Sequence, residues 1–188
     1  MTNPWLFFLA VVSVLATPGP TNTLLASGAA VGGFRKALPL LTAELLGYLI
    51  TVDVVGFLLR PVIATYPAIG VGLKLAVALY LVYAAIPLWR SAAHGRVVDN
   101  RVSWSTVFTA TLLNPKGLIF ALGIVPFGQP QLPWFLLAFA VLVPAVGLCW
   151  VAAGHLVGAA AGSGRRYVPR IASVVLVGFA GVIAASAF

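Results

Sequence analysis

Two short segments and three lone charges carry whatever chemistry this chain can do. Ala16-Thr17-Pro18-Gly19-Pro20-Thr21-Asn22 and Asn114-Pro115-Lys116-Gly117 interrupt long apolar runs, and Glu44, Asp53 and Lys74 lie inside other such runs. Two prolines so close remove amide donors and clash with the preceding turn, and Gly19 between them adds backbone freedom, so a helix cannot run straight through. In hydrocarbon each freed carbonyl or amide is costly unless protein, water or a ligand satisfies it, so such a break survives only where it lines a cavity. The chemistry is therefore binding. Amides at the helix restarts after Pro20 and Pro115, with Lys116, suit a carboxylate, while opened carbonyls and Asn22 or Asn114 suit an ammonium. Lys116 lies where snorkelling to an interface is hard, so a carboxylate, a carbonyl or a substrate must meet it. The competing reading is that the prolines are packing kinks.

The other charges divide by position. Glu44 and Asp53 are nine residues apart, about 13.5 Å of helix rise and close to opposite faces, so they cannot share a site. Glu44 aligns with Tyr48 and Thr51 in a polar stripe, and reads either as a proton carrier or as a buried neutral acid. Asp53 and Lys74 lie at similar depth and read as a scaffolding ion pair. His94 falls in a connector and His155 near a span end. The lone Cys149 in an apolar run excludes an internal disulfide and reads as inert packing. Catalysis has no visible residues: there is no metal-spaced Cys/His cluster, no phosphate loop and no nucleophile with a base, so neither metal nor cofactor is expected.

What positions these residues is a membrane fold. The chain of 188 residues is 62% hydrophobic and 7% charged, with mean hydropathy +1.10, and it has room for about six spans of roughly 20 residues and little else. The spans are expected at about 4–27, 37–59, 69–89, 104–127, 134–157 and 171–188, in a single all-α domain over 1–188. The first is not read as a cleavable signal, since no Lys or Arg precedes Arg35. The net charge of +8 reports topology and not a nucleic-acid partner. Arg35, Lys36, Arg90, Arg96, Arg101, Arg165, Arg166 and Arg170 fall in alternate connectors, against Arg60 alone on the other side, which makes the former side cytoplasmic and puts both termini outside. Trp5, Trp89, Trp104 and Trp134 fall near span ends.

The chain also divides into a first repeat at about 1–90, a cytoplasmic loop at about 91–103 and a second repeat at about 104–188. Pro18 and Pro115 are 97 positions apart, and three spans per half makes the repeats inverted, with helices one and four broken near the midplane. Paired broken helices in inverted halves point to a midplane site of a secondary transporter. A channel or a non-catalytic membrane subunit is the alternative, although a channel needs a more continuous polar lining. Glycine-rich faces at Gly154 to Gly158 or Gly178 to Gly181 offer a route to a homo-oligomer.

Thr17-Pro18-Gly19-Pro20-Thr21-Asn22, Leu112-Leu113-Asn114-Pro115-Lys116, and Lys74 followed by Tyr80-Leu81 and Trp89-Arg90 together resemble the lysine exporter superfamily, in particular its homoserine and threonine exporter branch. The resemblance covers nearly the whole chain in order. It implies a six-span carrier of the bacterial inner membrane that exports amino acids or related small metabolites, commonly against protons. Val77 and Ala85 stand where that family usually has glycine, and Pro87 precedes Trp89, so helix approach in the third span is expected to differ and the substrate is left open.

Overall fold

The computed structural model describes residues 3–59, 62, 65–93, 102–161 and 167–185, and among these all regular structure is helical. Helix α1 (Pro4–Ala16) starts at Asn3, whose side chain accepts from the amides of Trp5 and Leu6, with proline at its first position. Helix α2 (Pro20–Gly32) ends at Gly33, whose φ of 90° favours glycine. Helix α3 (Phe34–Asp53) passes into a π-helical stretch, Val54–Leu59. Helix α4 spans Pro67–Ala93 and α5 spans Trp104–Leu112. Helix α6 (Pro115–Ile119) passes into a second π-helical stretch, Phe120–Ile124. Helices α7 (Leu132–Ala160) and α8 (Val168–Ala185) complete the order.

Phe34–Leu59 and Leu132–Ala160 are each long and apolar enough to cross a bilayer. Pro4–Ala16 with Pro20–Gly32, and Trp104–Leu112 with Pro115–Ile124, qualify as broken spans, bent by 59° and 42°. The expected third span falls within α4, and α8 covers 171–185 of the expected sixth, whose last three positions lie outside the described residues; the two helices pack chiefly on each other. The first span runs to Gly32 and not to Ser27, because the chain turns only at Gly33. Arg60, His94, Arg96, Asp99, Arg101, Arg165 and Arg166, on which much of the charge asymmetry rests, lie outside the described residues, as do the side chains of Lys74 and Arg90.

Two apolar clusters fill the bundle. One gathers Phe7, Leu15, Tyr48, Phe120, Phe139 and Val143; the other gathers Leu24, Leu40, Ala43, Ala110, Val151 and Leu176. Four chain segments pass from one cluster to the other, between Leu15 and Leu24, Ala43 and Tyr48, Ala110 and Phe120, and Val143 and Val151. The buried polar residues Thr21, Asn22, Glu44, Thr111, Asn114 and Lys116 fall in three of those intervals or at their edges. These six polar groups thus form one layer between two apolar halves, while buried Ser27, Thr51 and Ser173 fall outside the intervals.

Two expectations from the sequence need correction. Gly154 and Gly158 do not face outward: added Cβ atoms there would meet the backbone of Ala26 and Ala30 on α2, so this small-residue stripe seats α7 on α2 inside the chain. Gly178 and Gly181 have open space in front of them. Cys149 is exposed rather than packed, its thiol directed to the Ala145 carbonyl, since it lies on the face of α7 turned away from the bundle.

Candidate functional site

The two breaks meet. Helix α1 stops at Ala16, Thr17 is extended, and α2 restarts with Pro20 behind Gly19, whose backbone is fully extended and which has no side chain to cap the new helix. Helix α5 stops at Leu112 and α6 restarts with Pro115 behind Asn114, which caps it by accepting from the Lys116 amide at 3.0 Å. Proline at the first position of each restart is the same solution in both places, since the missing amide would have had no helical partner there.

The carbonyls that α1 frees are taken by side chains. Asn22 reaches back and donates one amide hydrogen to Leu15 O at 2.8 Å and the other to Thr17 O at 2.9 Å. Lys116 comes across from α6 and places its ammonium on the same two carbonyls, in close contact with Thr17 O and more loosely, at 3.5 Å, with Leu15 O. Its side chain lies over Gly19: a Cβ at that position would stand 3.0 Å from Cε and 3.1 Å from Nζ. A side chain there would press on the lysine, which glycine leaves in place. The carboxyl end of α1 carries negative partial charge, so a cation is well placed there, whereas the amino end of α2 immediately beyond it favours an anion.

On the other side of the break the hydroxyls form a directed chain. Asn114 Nδ2 donates to Thr21 Oγ1 at 2.9 Å, Thr21 lies 3.1 Å from Thr111 Oγ1, and Thr111 donates to Val107 O at 2.8 Å. Thr51 of α3 closes the second break, its hydroxyl lying 2.7 Å from Leu112 O and 2.9 Å from Gly47 O. The backbone groups exposed by each kink are thus met by polar side chains, as hydrocarbon surroundings require.

The remaining charges separate. Glu44 is buried, 1% exposed, and interacts through space with Lys116, yet no ion pair joins them. Among the described residues its Oε2 has no hydrogen-bond partner, nor has the Tyr48 hydroxyl one turn further along α3. Tyr48 is wedged edge-on against Phe120 and Phe139, at 5.7 and 6.3 Å between ring centroids. Asp53 is at the far end of α3, where the π-helical stretch begins, and its Oδ1 has no hydrogen-bond partner among the described residues. The ion pair expected with Lys74 involves a side chain outside the described ones. His155, on α7, packs against Phe34.

Pro18, Gly19, Pro20, Asn22, Asn114, Pro115 and Lys116 are therefore brought together, Glu44 lies near them, and Asp53 does not. Sequence reasoning missed Thr111 and Gly147. The first carried a signal, a hydroxyl residue three positions before Asn114 in an apolar run; the second, where a Cβ would overlap Glu44 Oε2, carried none. Beside the second break is a cavity of about 260 Å³ lined by Ile50, Thr51, Leu112 and Asn114 among others. A larger groove, about 670 Å³, lies between the Trp5 and Trp134 regions and is almost wholly apolar, so it offers no charged group to a substrate.

The family model for LysE type translocators matches residues 12–187. Among curated relatives, the chain is 27% identical over 158 residues to a cysteine/O-acetylserine efflux protein of Salmonella paratyphi A, covering 80% of this chain and 81% of that one. It is 28% identical over 161 residues to the protein of the same name from Escherichia coli strain K12, with the same coverage. No solved structure matches it. The match takes in both breaks, Lys116 and nearly the whole of the remaining chain, and the chain belongs to the LysE type translocator family.

Proposed function

We propose that this protein exports amino acids or closely related small metabolites across the bacterial inner membrane, in exchange for protons. As a translocator it moves its substrate unchanged and is a transporter, not an enzyme. The observation that carries the reading is the meeting of two broken helices with a buried lysine of one lying on the freed carbonyls of the other. Supporting it, the relatives above are named as efflux proteins for cysteine and O-acetylserine, both small zwitterionic molecules.

The substrate site is formed by Pro18, Gly19, Pro20 and Asn22 with Asn114, Pro115 and Lys116. A substrate carboxylate lies between the Lys116 ammonium and the amino end of α2, which puts an anion where both the charge and the helix dipole favour it. Glu44, Asp53 and Lys74 are the intramembrane charges available for coupling to protons. The carbonyls of Leu15 and Thr17 can receive an ammonium only if Asn22 and Lys116 release them.

The six spans form one domain of two inverted repeats, 1–90 and 104–188, joined by a cytoplasmic loop, with both termini on the outer side. Packing supports this symmetry: under exchange of the halves α1 on α7 is equivalent to α5 on α3, α2 on α7 is equivalent to α6 on α3, and α4 on α8 maps onto itself. A homo-oligomer would use the Gly178 to Gly181 face, which is open. The deciding experiment is an efflux screen in cells overproducing the protein, with and without an uncoupler, followed by counterflow in proteoliposomes. Saturable exchange that needs the proton gradient supports the reading. Non-saturating flux would indicate a channel, and no flux a structural subunit.

A further inference from the structure

We infer that Glu44 is the group that holds the substrate's ammonium and that a proton takes the same carboxylate when the substrate has left, so that substrate and proton compete for one residue. The inference rests on the reading of the chain as an amino-acid exporter. It starts from level: Glu44 lies between Ala43 of one apolar cluster and Tyr48 of the other, and the two breaks and Gly147 fall in the corresponding intervals of their own segments. All four belong to the same polar layer.

Among the described residues the donors and acceptors at this level have found one another, with two exceptions on neighbouring turns of α3. Asn22, Asn114, Thr21, Thr111 and Lys116 are all hydrogen-bonded. Glu44 Oε2 and Tyr48 Oη, both buried, are not. A buried acid oxygen without a donor is costly, and the fold makes room for it deliberately: α7 passes the carboxyl with Gly147, where any side chain would overlap Oε2. The titratable groups that face Glu44 are Lys116 from α6 and Tyr48 from its own helix. Helix α7 presents Gly147, and α2 presents Thr21, which Tyr48 approaches without hydrogen-bond geometry.

What Glu44 Oε2 lacks, among the described residues, is a donor in hydrogen-bond geometry, since the Tyr48 hydroxyl faces the acid without bonding it. Lys116 does not supply it, because its ammonium is spent on the carbonyls of Leu15 and Thr17. A carboxylate and an ammonium that interact through space but stand too far apart to pair are bridged by a small zwitterion lying head to tail, ammonium on Glu44 and carboxylate on Lys116. A neutral carboxylic acid takes the place of that ion pair when the site carries a proton. On the cytoplasmic side, binding of the ammonium expels the Glu44 proton to the cytoplasm. On the outer side, a proton protonates Glu44 as the substrate departs. One zwitterion leaves for each proton that enters, and each cycle moves one positive charge inward, so membrane potential and pH gradient both drive export.

The test uses the full chain purified in detergent, titrated by calorimetry with a panel of the protein amino acids and O-acetyl-L-serine, in buffers of different ionisation enthalpy. For any amino acid that binds, about one proton should be released, and affinity should rise about tenfold per pH unit over the range in which Glu44 is protonated before binding. The 2-hydroxy acid counterpart of that amino acid, which keeps the carboxylate and lacks the ammonium, should bind without releasing a proton. Glu44→Gln should bind with no proton release and no pH dependence, and Glu44→Asp should restore both. If Glu44→Gln does not fold, the comparison of amino acid with hydroxy acid on the wild-type chain decides alone. Equal proton release by the two ligands, or release that survives in Glu44→Gln, overturns the inference while leaving an amino-acid exporter in place. Binding of no amino acid at all overturns the exporter reading and the inference with it.

Discussion

Substituting Gly154 and Gly158 by alanine should force α7 away from α2. A Cβ on Gly154 would stand 2.5 Å from Ala26 Cα, and one on Gly158 would stand 2.6 Å from Ala30 Cα. The obstructing atoms are backbone, so no rotamer change relieves the overlap. The carbonyl oxygens of Ala26 and Ala30 are closer still, so the helices have to separate by about 1.0–1.3 Å to reach ordinary contact, a gap that forfeits about half of each dispersion contact along the seam. Overpacking of this kind costs about 1–3 kcal/mol per site, and the better helix propensity of alanine returns at most about 1 kcal/mol. Because the obstruction is backbone, each site falls at the upper end of that range, and for the pair the net loss is about 4 kcal/mol, or roughly 8–16 °C in the unfolding midpoint of a chain of this size. Tryptophan fluorescence during heating in detergent reads it directly. Gly178→Ala with Gly181→Ala is the control: the same chemical change on α8, where no atom lies within 4 Å of the added carbons, should leave the midpoint unchanged or raise it. Light scattering on the same samples shows whether the second pair alters oligomeric mass. A Gly154/Gly158 double variant that melts with the wild type would refute the seating of α7 on α2, and with it the level assigned to Gly147.

Lys116→Met should abolish efflux and lower the unfolding midpoint modestly, because its charged hydrogen bonds contribute about 1.5–3 kcal/mol while Asn22 still holds both carbonyls; full efflux would remove the lysine from the substrate path. Gly147→Ala should displace the Glu44 carboxyl, costing about 1–3 kcal/mol and impairing export more than it impairs protein level, as paired efflux and immunoblot measurements would show. In a background lacking Cys149, cysteines at Ala92 and Ser163 should resist a membrane-impermeant thiol reagent in intact cells and one at Gln131 should react; the reverse pattern would invert the orientation. Replacing Asp53 by alanine should reduce protein level if it strands Lys74, and replacing both should restore it; a double variant as poor as the single one means that they do not pair.

The gross fold was legible because hydrocarbon imposes strong rules on sequence. Pro18-Gly19-Pro20 and Asn114-Pro115 announced two breaks through missing amides, and the breaks are where the helices bend. Lys116 was legible too, since a lysine buried mid-span has to be met by an acceptor; that the acceptors are Leu15 and Thr17 of the other break follows only from packing. The role of Gly154 and Gly158 was misread for a related reason. A small-residue stripe says that something approaches closely and not whether it is another chain or another helix of the same one.

Glu44 and Asp53 show where sequence reasoning stops. Both are acids on one helix, and helical geometry alone separates them by height and by face without saying which height matters. The neighbouring segments supply that answer. Thr21, Thr111, Asn114 and Lys116 all fall at the boundary between the two apolar clusters, and only Glu44 shares it. At that boundary the Glu44 carboxyl lies against Gly147, while Lys116 is already engaged with the Thr17 carbonyl. Asp53, at the end of α3, has neither the lysine nor the glycine opposite it among the described residues. What sets the acid we assign to the substrate apart from the other is thus what three other segments of the chain present at the same level.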